Sequence, residues 1–170
     1  RGMDQPLAEA LSAIPYASMS VICTVYERAA VGRNLDGFGF LIPRTQGKRI
    51  LGCIWTSTLF PGRAPEGKIL LRTMIGGAGD PDAVKLDDDA MLEVIRKELF
   101  PILDIKSDPV LHRVFRWEKA IPQYTFGHQA RVRAIEAAEE RHPGLRFAGN
   151  AYRGVGINDC VVSALKAVGE

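Results

Sequence analysis

The residues best placed to hold a ligand form a glycine-containing stretch near the end of the chain. It reads FAGNAYRGVGINDC over residues 147–160 and leads into a segment of small residues that is compatible with a helix. Glycines let a ligand approach the backbone closely, and the free amides at the start of a helix attract negative charge. The stretch could therefore hold a phosphate or the electron-rich edge of a flavin. A plain strand-to-helix turn without a ligand is the alternative.

The glycine spacing does not match the dinucleotide-binding fingerprint G-x-G-x-x-G. Where a third glycine would be needed, the chain has Asp159 after Gly154 and Gly156, and the same mismatch occurs at Ile42 and at Asp82. Because the third glycine permits close packing of helix and strand around the pyrophosphate, this chain carries no fingerprint of an ADP-binding unit.

The sequence lacks the motifs of several other catalytic classes. The three histidines are not paired at ligand spacing, and no G-x-S-x-G or Walker lysine motif occurs. The acidic run Asp87, Asp88 and Asp89 precedes an apolar pattern of helical spacing, which indicates a helix N-terminus rather than a metal site. The residues themselves indicate no metal site and no hydrolase or phosphotransferase.

A group of apolar residues is the second candidate for chemistry. Its members fall on neighbouring predicted strands: Phe38, Leu41, Ile54, Trp55 and Met74. Such residues could line an apolar pocket for a planar ligand, or they could be ordinary core. The sequence leaves both interpretations open.

The elements that would position these residues predict an α+β fold. The expected strands cover residues 16–27, 38–42, 50–56, 68–75, 110–117 and 145–148. The expected helices cover residues 6–14, a stretch that begins after Asp87, residues 128–141 and residues 161–168. Loop connections between the first four strands predict an antiparallel sheet, which the helix after Asp87 covers.

Length and composition narrow the possible classes of protein. The 170 residues are 46% hydrophobic and 25% charged, which is typical of a soluble globular domain with a core of its own. The net charge of +2 is too small to mark a general nucleic-acid binder. The charge is uneven, however, since nine acidic and four basic residues lie between residues 80 and 108, and eight basic and four acidic residues between 112 and 153. The second half could favour an anionic ligand, or it could be an ordinary solvated surface.

Cysteine usage and the start of the chain indicate the setting. Cys23, Cys53 and Cys160 are widely spaced and form no C-x-x-C, which favours a reduced, cytoplasmic compartment. No apolar run approaches the roughly 20 residues that span a bilayer, and no signal peptide is indicated. Because a methionine stands at position 3 and a helix is already under way, we expect a fragment or an excised domain.

Four motifs in register resemble one known family. They are LDGFGFLIP at residues 35–43, ILGCIWTSTLFPGRAP at residues 50–65, WEKAIPQY at residues 117–124 with Gly127 and His128, and FAGNAYRGVGINDC at residues 147–160. Together they resemble the C-terminal part of the oxygen-dependent protoporphyrinogen and coproporphyrinogen oxidases, which are FAD flavoproteins of the amine-oxidase superfamily. The resemblance implies an oxidase of haem biosynthesis that passes six electrons from a porphyrinogen through FAD to O₂.

The resemblance also implies roles for particular residues. The positions that match the apolar clamp on the tetrapyrrole are Phe38, Leu41, Ile54 and Met74. The positions that match contacts to FAD are Trp117, Asn150, Val155, Gly156 and Ile157, with the Gly156 and Ile157 amides near the flavin ring. It implies no metal ligand, and it leaves the catalytic residues unknown.

The same resemblance predicts two domains. Residues 1–117 would belong to a substrate-binding domain and residues 118–170 to the FAD-binding domain. A homodimer and a peripheral membrane association of the parent are left open. Two alternatives also stay open: another flavoprotein of the superfamily, such as a carotenoid desaturase or amine oxidase, or an isolated, non-catalytic α+β domain that binds an anion or a partner.

Overall fold

The computed structural model describes residues 4–169 and shows an α+β protein of five strands and five α-helices within them. The elements are α1 (Gln5–Ser12), β1 (Tyr16–Glu27), β2 (Gly39–Leu41), β3 (Ile50–Ile54), α2 (Thr56–Leu59), β4 (Lys68–Gly76), α3 (Asp88–Leu103), β5 (Leu111–Pro122), α4 (His128–Arg141) and α5 (Ile157–Val168). They fall into two compact units, one of residues 17–120 and one of residues 4–16 with 121–169. The predicted fold class is confirmed.

The unit of residues 17–120 is built on one sheet of strand order β2-β3-β4-β1-β5. The pairs β2–β3, β3–β4 and β1–β4 are antiparallel, as expected for strands joined by loops. The ladder of β3 and β4 shifts by one residue between Ile50 and Gly52. Side chains alternate between the two faces of a strand, so each pairing also decides which residues share a face.

Helix α3 and one face of the sheet form the core of this unit. Alternate strand residues, among them Ile22, Leu71 and Ile75, are fully buried with Met91 and Leu99 of the helix. Burial of each such side chain stabilises the fold by roughly 1.5–3 kcal/mol. The helix begins as predicted at its acidic run, where the Asp87 carboxylate accepts a hydrogen bond from the Ala90 amide at 2.8 Å.

The second unit packs α1 against α4. Its buried cluster contains Leu7, Ala10 and Ile14 from the start of the chain and Ile135 and Ala138 from α4. The bounds of α4 agree with the prediction, because its apolar residues recur at helical spacing up to His142. Helix α5 buries no side chain within the described residues.

Three predictions differ from the structure by more than two residues. Residues 145–148 form no strand, since none of the strands in residues 4–169 offers a pairing partner for their backbone groups. The strand predicted to end at residue 117 continues to Pro122, at the end of an edge strand where the missing amide costs no ladder bond. Helix α5 begins at Ile157, four residues before the prediction, because the Asp159 carboxylate caps it by accepting from the Gly156 amide.

The contacts of Asp4 predict that the stability of the unit containing α1 and α4 depends on pH. Its carboxylate accepts from the Leu7 amide at 2.9 Å and contacts Arg141 at 2.7 Å and His142 at 2.9 Å, and these bonds lower the pKa of Asp4 to about 2. Because the pKa in the unfolded chain is higher, about 3.9, the stabilisation is present above pH 4 and lost as the pH falls toward 2.

We expect NMR titration to show this carboxyl protonating near pH 2. Unfolding profiles of Asp4→Asn, which keeps the helix cap, should show a smaller loss of stability between pH 4 and pH 2 than the wild type. A carboxyl that titrates near pH 4 in the folded chain contradicts the prediction.

Candidate functional site

The sheet of residues 17–120 has a second face, opposite α3, which we call the open face. Strand register places two rows of residues on it. The first row consists of Leu41, Gly52, Met74 and Val21. The second row consists of Gly39, Ile54, Arg72 and Cys23. Their neighbours along the strands, such as Cys53 and Leu71, point to the core instead.

Glycine makes part of this face flat. A Cβ atom on Gly52 would lie 2.5 Å from the Phe40 carbonyl oxygen and 2.9 Å from Leu41 Cδ2. The Leu41 side chain therefore lies over the backbone of Gly52, and no other side chain fits there without displacing it. A flat apolar surface is suited to a planar ligand.

The structure brings three of the four predicted clamp residues together. Leu41 is 80% exposed, and Ile54 and Met74 are half-buried on the adjacent strands. Phe38 lies outside β2, is 67% exposed and is not in either row. Leu41 is thus not a core residue, whereas Trp55 packs against the core. Clustered exposed apolar side chains mark a contact surface.

Sequence reasoning missed a cation on the open face. Arg72 is exposed and lies between Leu70 and Met74 along β4, paired in register with Ile54 and Cys23. Burial raises the pKa of the Cys23 thiol, and the positive charge of Arg72 opposes that rise. The period-2 pattern of residues 70–74 was the signal that could have placed Arg72 beside Met74.

Strand β5 adds aromatic residues to the same sheet. The rings of Phe115 and Trp117 stack with centroids 6.1 Å apart, and both are more than 40% exposed. Their neighbour Val114 packs against the core, so they project from the other face of the strand. Trp117 therefore lies on the open face of the sheet, where a flat ring could stack on it.

The glycine-containing stretch belongs to the other unit. The carbonyl of Asn150 accepts from the Tyr124 hydroxyl at 2.7 Å, and the Gly156 amide donates to the Asp159 carboxylate at 3.0 Å. The side chains of Val155 and Ile157 are 59% and 84% exposed.

This arrangement suits one kind of ligand at the start of α5 better than another. The Asp159 carboxylate already takes one of the two amides expected to meet a flavin, and its negative charge disfavours a phosphate beside it. An uncharged ring edge against the Val155 and Ile157 side chains meets neither obstacle. The residues present therefore fit the ring of a flavin rather than its pyrophosphate.

Gly154 is required at the turn before this helix. Its φ is +74°, and a Cβ there would lie 2.4 Å from the Asp159 carboxyl carbon. Glycine adopts this conformation without strain and leaves room for the capping carboxylate.

The described part of the chain contains neither a candidate metal site nor a helix that could span a membrane. Within residues 4–169, no group of three or more His, Cys, Asp or Glu side chains could hold a metal ion. None of the helices described there is both long and apolar enough to cross a membrane.

Comparisons with known proteins agree with the resemblance seen in the sequence. Residues 2–170 match the family model described as flavin containing amine oxidoreductase. The chain is 34% identical over 90% of its length to coproporphyrinogen III oxidase of Bacillus subtilis, and 36% identical over its full length to chloroplastic protoporphyrinogen oxidase of Nicotiana tabacum. It spans about a third of each of these relatives, 33% in both cases.

A solved structure supports the same relationship. A protein of Exiguobacterium sp. assigned as a protoporphyrinogen oxidase superposes with a TM-score of 0.77 at 28% identity. The superposition covers 94% of this chain and 35% of that protein.

Proposed function

The chain belongs to the flavin-containing amine oxidoreductases, and from this membership we propose that it is part of an FAD-dependent oxidase that converts a porphyrinogen to a porphyrin with O₂ as electron acceptor. The observation that carries the proposal is the open face, where Leu41, Ile54 and Met74 form an apolar surface. Gly52 keeps the backbone beside Leu41 uncovered by a side chain of its own. Relatives named for porphyrinogen oxidation match 90% or more of the chain.

The open face would bind the substrate. A porphyrinogen is a large, mostly apolar macrocycle, and contact with the side chains of Leu41, Ile54 and Met74 removes apolar surface of both partners from water. Phe38, which is exposed just before β2 and lies in neither row, is a further candidate contact from the resemblance. These contacts position the macrocycle and exclude water from the side that they cover.

The start of α5 would contact the cofactor. FAD, when bound, supplies the electron transfer from the substrate to O₂. On this chain, the Ile157 amide and the exposed side chains of Val155 and Ile157 would hold the ring, and Asn150 of the same unit is a further candidate contact. Trp117, in the other unit, is a separate expectation of the resemblance.

The two domains remain part of the proposal. We propose a substrate-binding domain within residues 1–117 and an FAD-binding domain over residues 118–170, with which residues 4–16 pack. A homodimer and a peripheral membrane attachment of the parent are expectations of the resemblance, and sedimentation of the full-length protein with and without lipid vesicles tests both.

The proposal is tested with the full-length parent protein. We expect it to show flavin absorbance after reconstitution with FAD, to gain porphyrin fluorescence when given a porphyrinogen, and to consume O₂. Release of peroxide during oxidation of an amine, with no turnover of porphyrinogens, would instead assign the protein to another branch of the family. A protein that takes up no flavin overturns the proposal.

Substitutions on the open face separate a ligand surface from a core. Leu41→Ala and Met74→Ala should each reduce stability by clearly less than the ~2–5 kcal/mol of a core truncation, because space beside these exposed or half-buried side chains is already open. In the parent enzyme they should raise KM with kcat little changed, since they remove contacts made equally in the ground and transition states.

The matched control is Leu71→Ala, on the same strand as Met74 but fully buried. It should reduce stability by ~2–5 kcal/mol. Urea unfolding and steady-state kinetics of the three variants provide the comparison. Unaltered KM in both open-face variants would remove them from the proposed site.

A further inference from the structure

One charged side chain, Arg72, lies among the apolar residues of the open face. Arg72 has apolar neighbours along its own strand, Leu70 and Met74, and apolar or thiol neighbours across it, Ile54 and Cys23. It lies on β4, a central strand of the sheet, so its environment is the flat middle of the surface and not its rim.

Arg72 differs from the arginines of the same unit that form ion pairs. Arg49, Arg96 and Arg116 each hold a carboxylate, at 2.7, 2.7 and 2.6 Å. Among residues 4–169, no carboxylate lies within ion-pair distance of Arg72, and its guanidinium donates no hydrogen bond. Its five N–H donors therefore have no protein partner within these residues and are available to a ligand.

The guanidinium of Arg72, unpaired among the described residues, affects binding when a ligand covers the open face. A macrocycle over Ile54 and Met74 removes water from the neighbouring guanidinium, and loss of hydration without a counter-charge opposes binding. A ligand that brings a carboxylate to this point offsets the loss, because guanidinium and carboxylate form paired, charge-assisted hydrogen bonds. The face therefore favours acidic macrocycles over uncharged ones.

We propose that Arg72 is a specificity-determining residue that binds a propionate carboxylate of the porphyrinogen on the open face. This inference rests on the proposed function. The apolar rows hold the ring through Leu41, Ile54 and Met74, and Arg72 fixes its rotation by holding one acidic substituent.

The test uses the full-length FAD-loaded enzyme with coproporphyrinogen III and protoporphyrinogen IX as substrates. For the substrate that the wild type prefers, Arg72→Gln should raise KM about tenfold or more and change kcat less than about twofold, since the contact is made equally in the ground and transition states. Arg72→Lys should recover part of the loss, because the charge remains while the paired geometry is lost. Arg72→Met, which keeps an apolar stem, repeats the test should the glutamine variant fold poorly.

A matched control is Arg63→Gln, which removes the same charge from an exposed turn outside the sheet. It should leave KM unchanged. Raising the salt concentration should raise the KM of the wild type and of the control, and raise that of Arg72→Gln less.

The outcomes separate the inference from the function on which it rests. Turnover of porphyrinogens by the wild type with equal KM in Arg72→Gln, Arg72→Met and wild type overturns the inference and leaves the function standing. Absence of porphyrinogen turnover in the wild type overturns the function itself.

Discussion

Replacement of Gly39 by alanine is expected to disrupt the pairing of β2 with β3 and to lower the free energy of unfolding by roughly 3 kcal/mol. Gly39 has φ of +147°, and a Cβ there would lie 2.1 Å from the carbonyl oxygen of Cys53. The obstruction is backbone of the partner strand, which cannot move aside as a side chain could. Because Gly39 pairs with Ile54 and precedes Leu41 by two residues, the change should also displace the edge of the open face.

The matched control is Gly47→Ala. Gly47 also has a positive φ, +63°, but no atom lies within 4 Å of the Cβ position. Only the conformational strain applies there, about 1–2 kcal/mol. Urea unfolding measures both variants, and hydrogen exchange of the β2 and β3 amides locates the damage. Equal losses in the two variants would show that backbone overlap does not decide the effect.

Removal of the Glu98 carboxylate is the second large effect. Glu98 lies on α3, is 7% exposed, and accepts hydrogen bonds from the amides of Arg49 and Ile50, each at 3.0 Å. These amides precede and begin β3, next to the register shift of that strand. Glu98→Ala leaves them without their partner, and each unsatisfied buried group costs about 1–3 kcal/mol. We therefore expect a loss of roughly 3 kcal/mol.

Two further variants sharpen this prediction. Glu98→Gln keeps an acceptor oxygen without the charge and should lose less than Glu98→Ala. Glu93→Ala, on the same helix, removes an exposed ion pair with Arg96 and should change stability by less than about 1 kcal/mol. Thermal or urea unfolding of the three variants gives the order, and a Glu93 variant as unstable as the Glu98 variant contradicts it.

Local patterns in the sequence determined the elements that depend on neighbouring residues alone. The alternation of residues 16–27 predicted β1 with the bounds that the structure shows, and helical spacing up to His142 did the same for α4. The acidic run at residue 87 predicted the start of α3, because a helix cap involves residues only three positions apart. The four motifs likewise sufficed for the family.

Pairing partners decided where local patterns were wrong. Residues 145–148 have the apolar character of a strand, but a strand exists only when a neighbour takes its backbone hydrogen bonds, and no described strand does so. The role of Glu98 was equally hidden, since its partners lie nearly 50 residues earlier in the chain.

The candidate site shows most clearly which features the sequence predicted and which the tertiary structure decided. Sequence alternation assigned Leu41, Ile54 and Met74 to strands but not to a common face, and it left core and ligand surface as open alternatives. Only strand register aligned Leu41 with Gly52 and Met74, and only the packing of α3 decided which face is covered. The same register placed Arg72 beside Ile54. These contacts join residues far apart in the chain, so they depend on which strands pair and which face is buried, and these are properties of the tertiary structure.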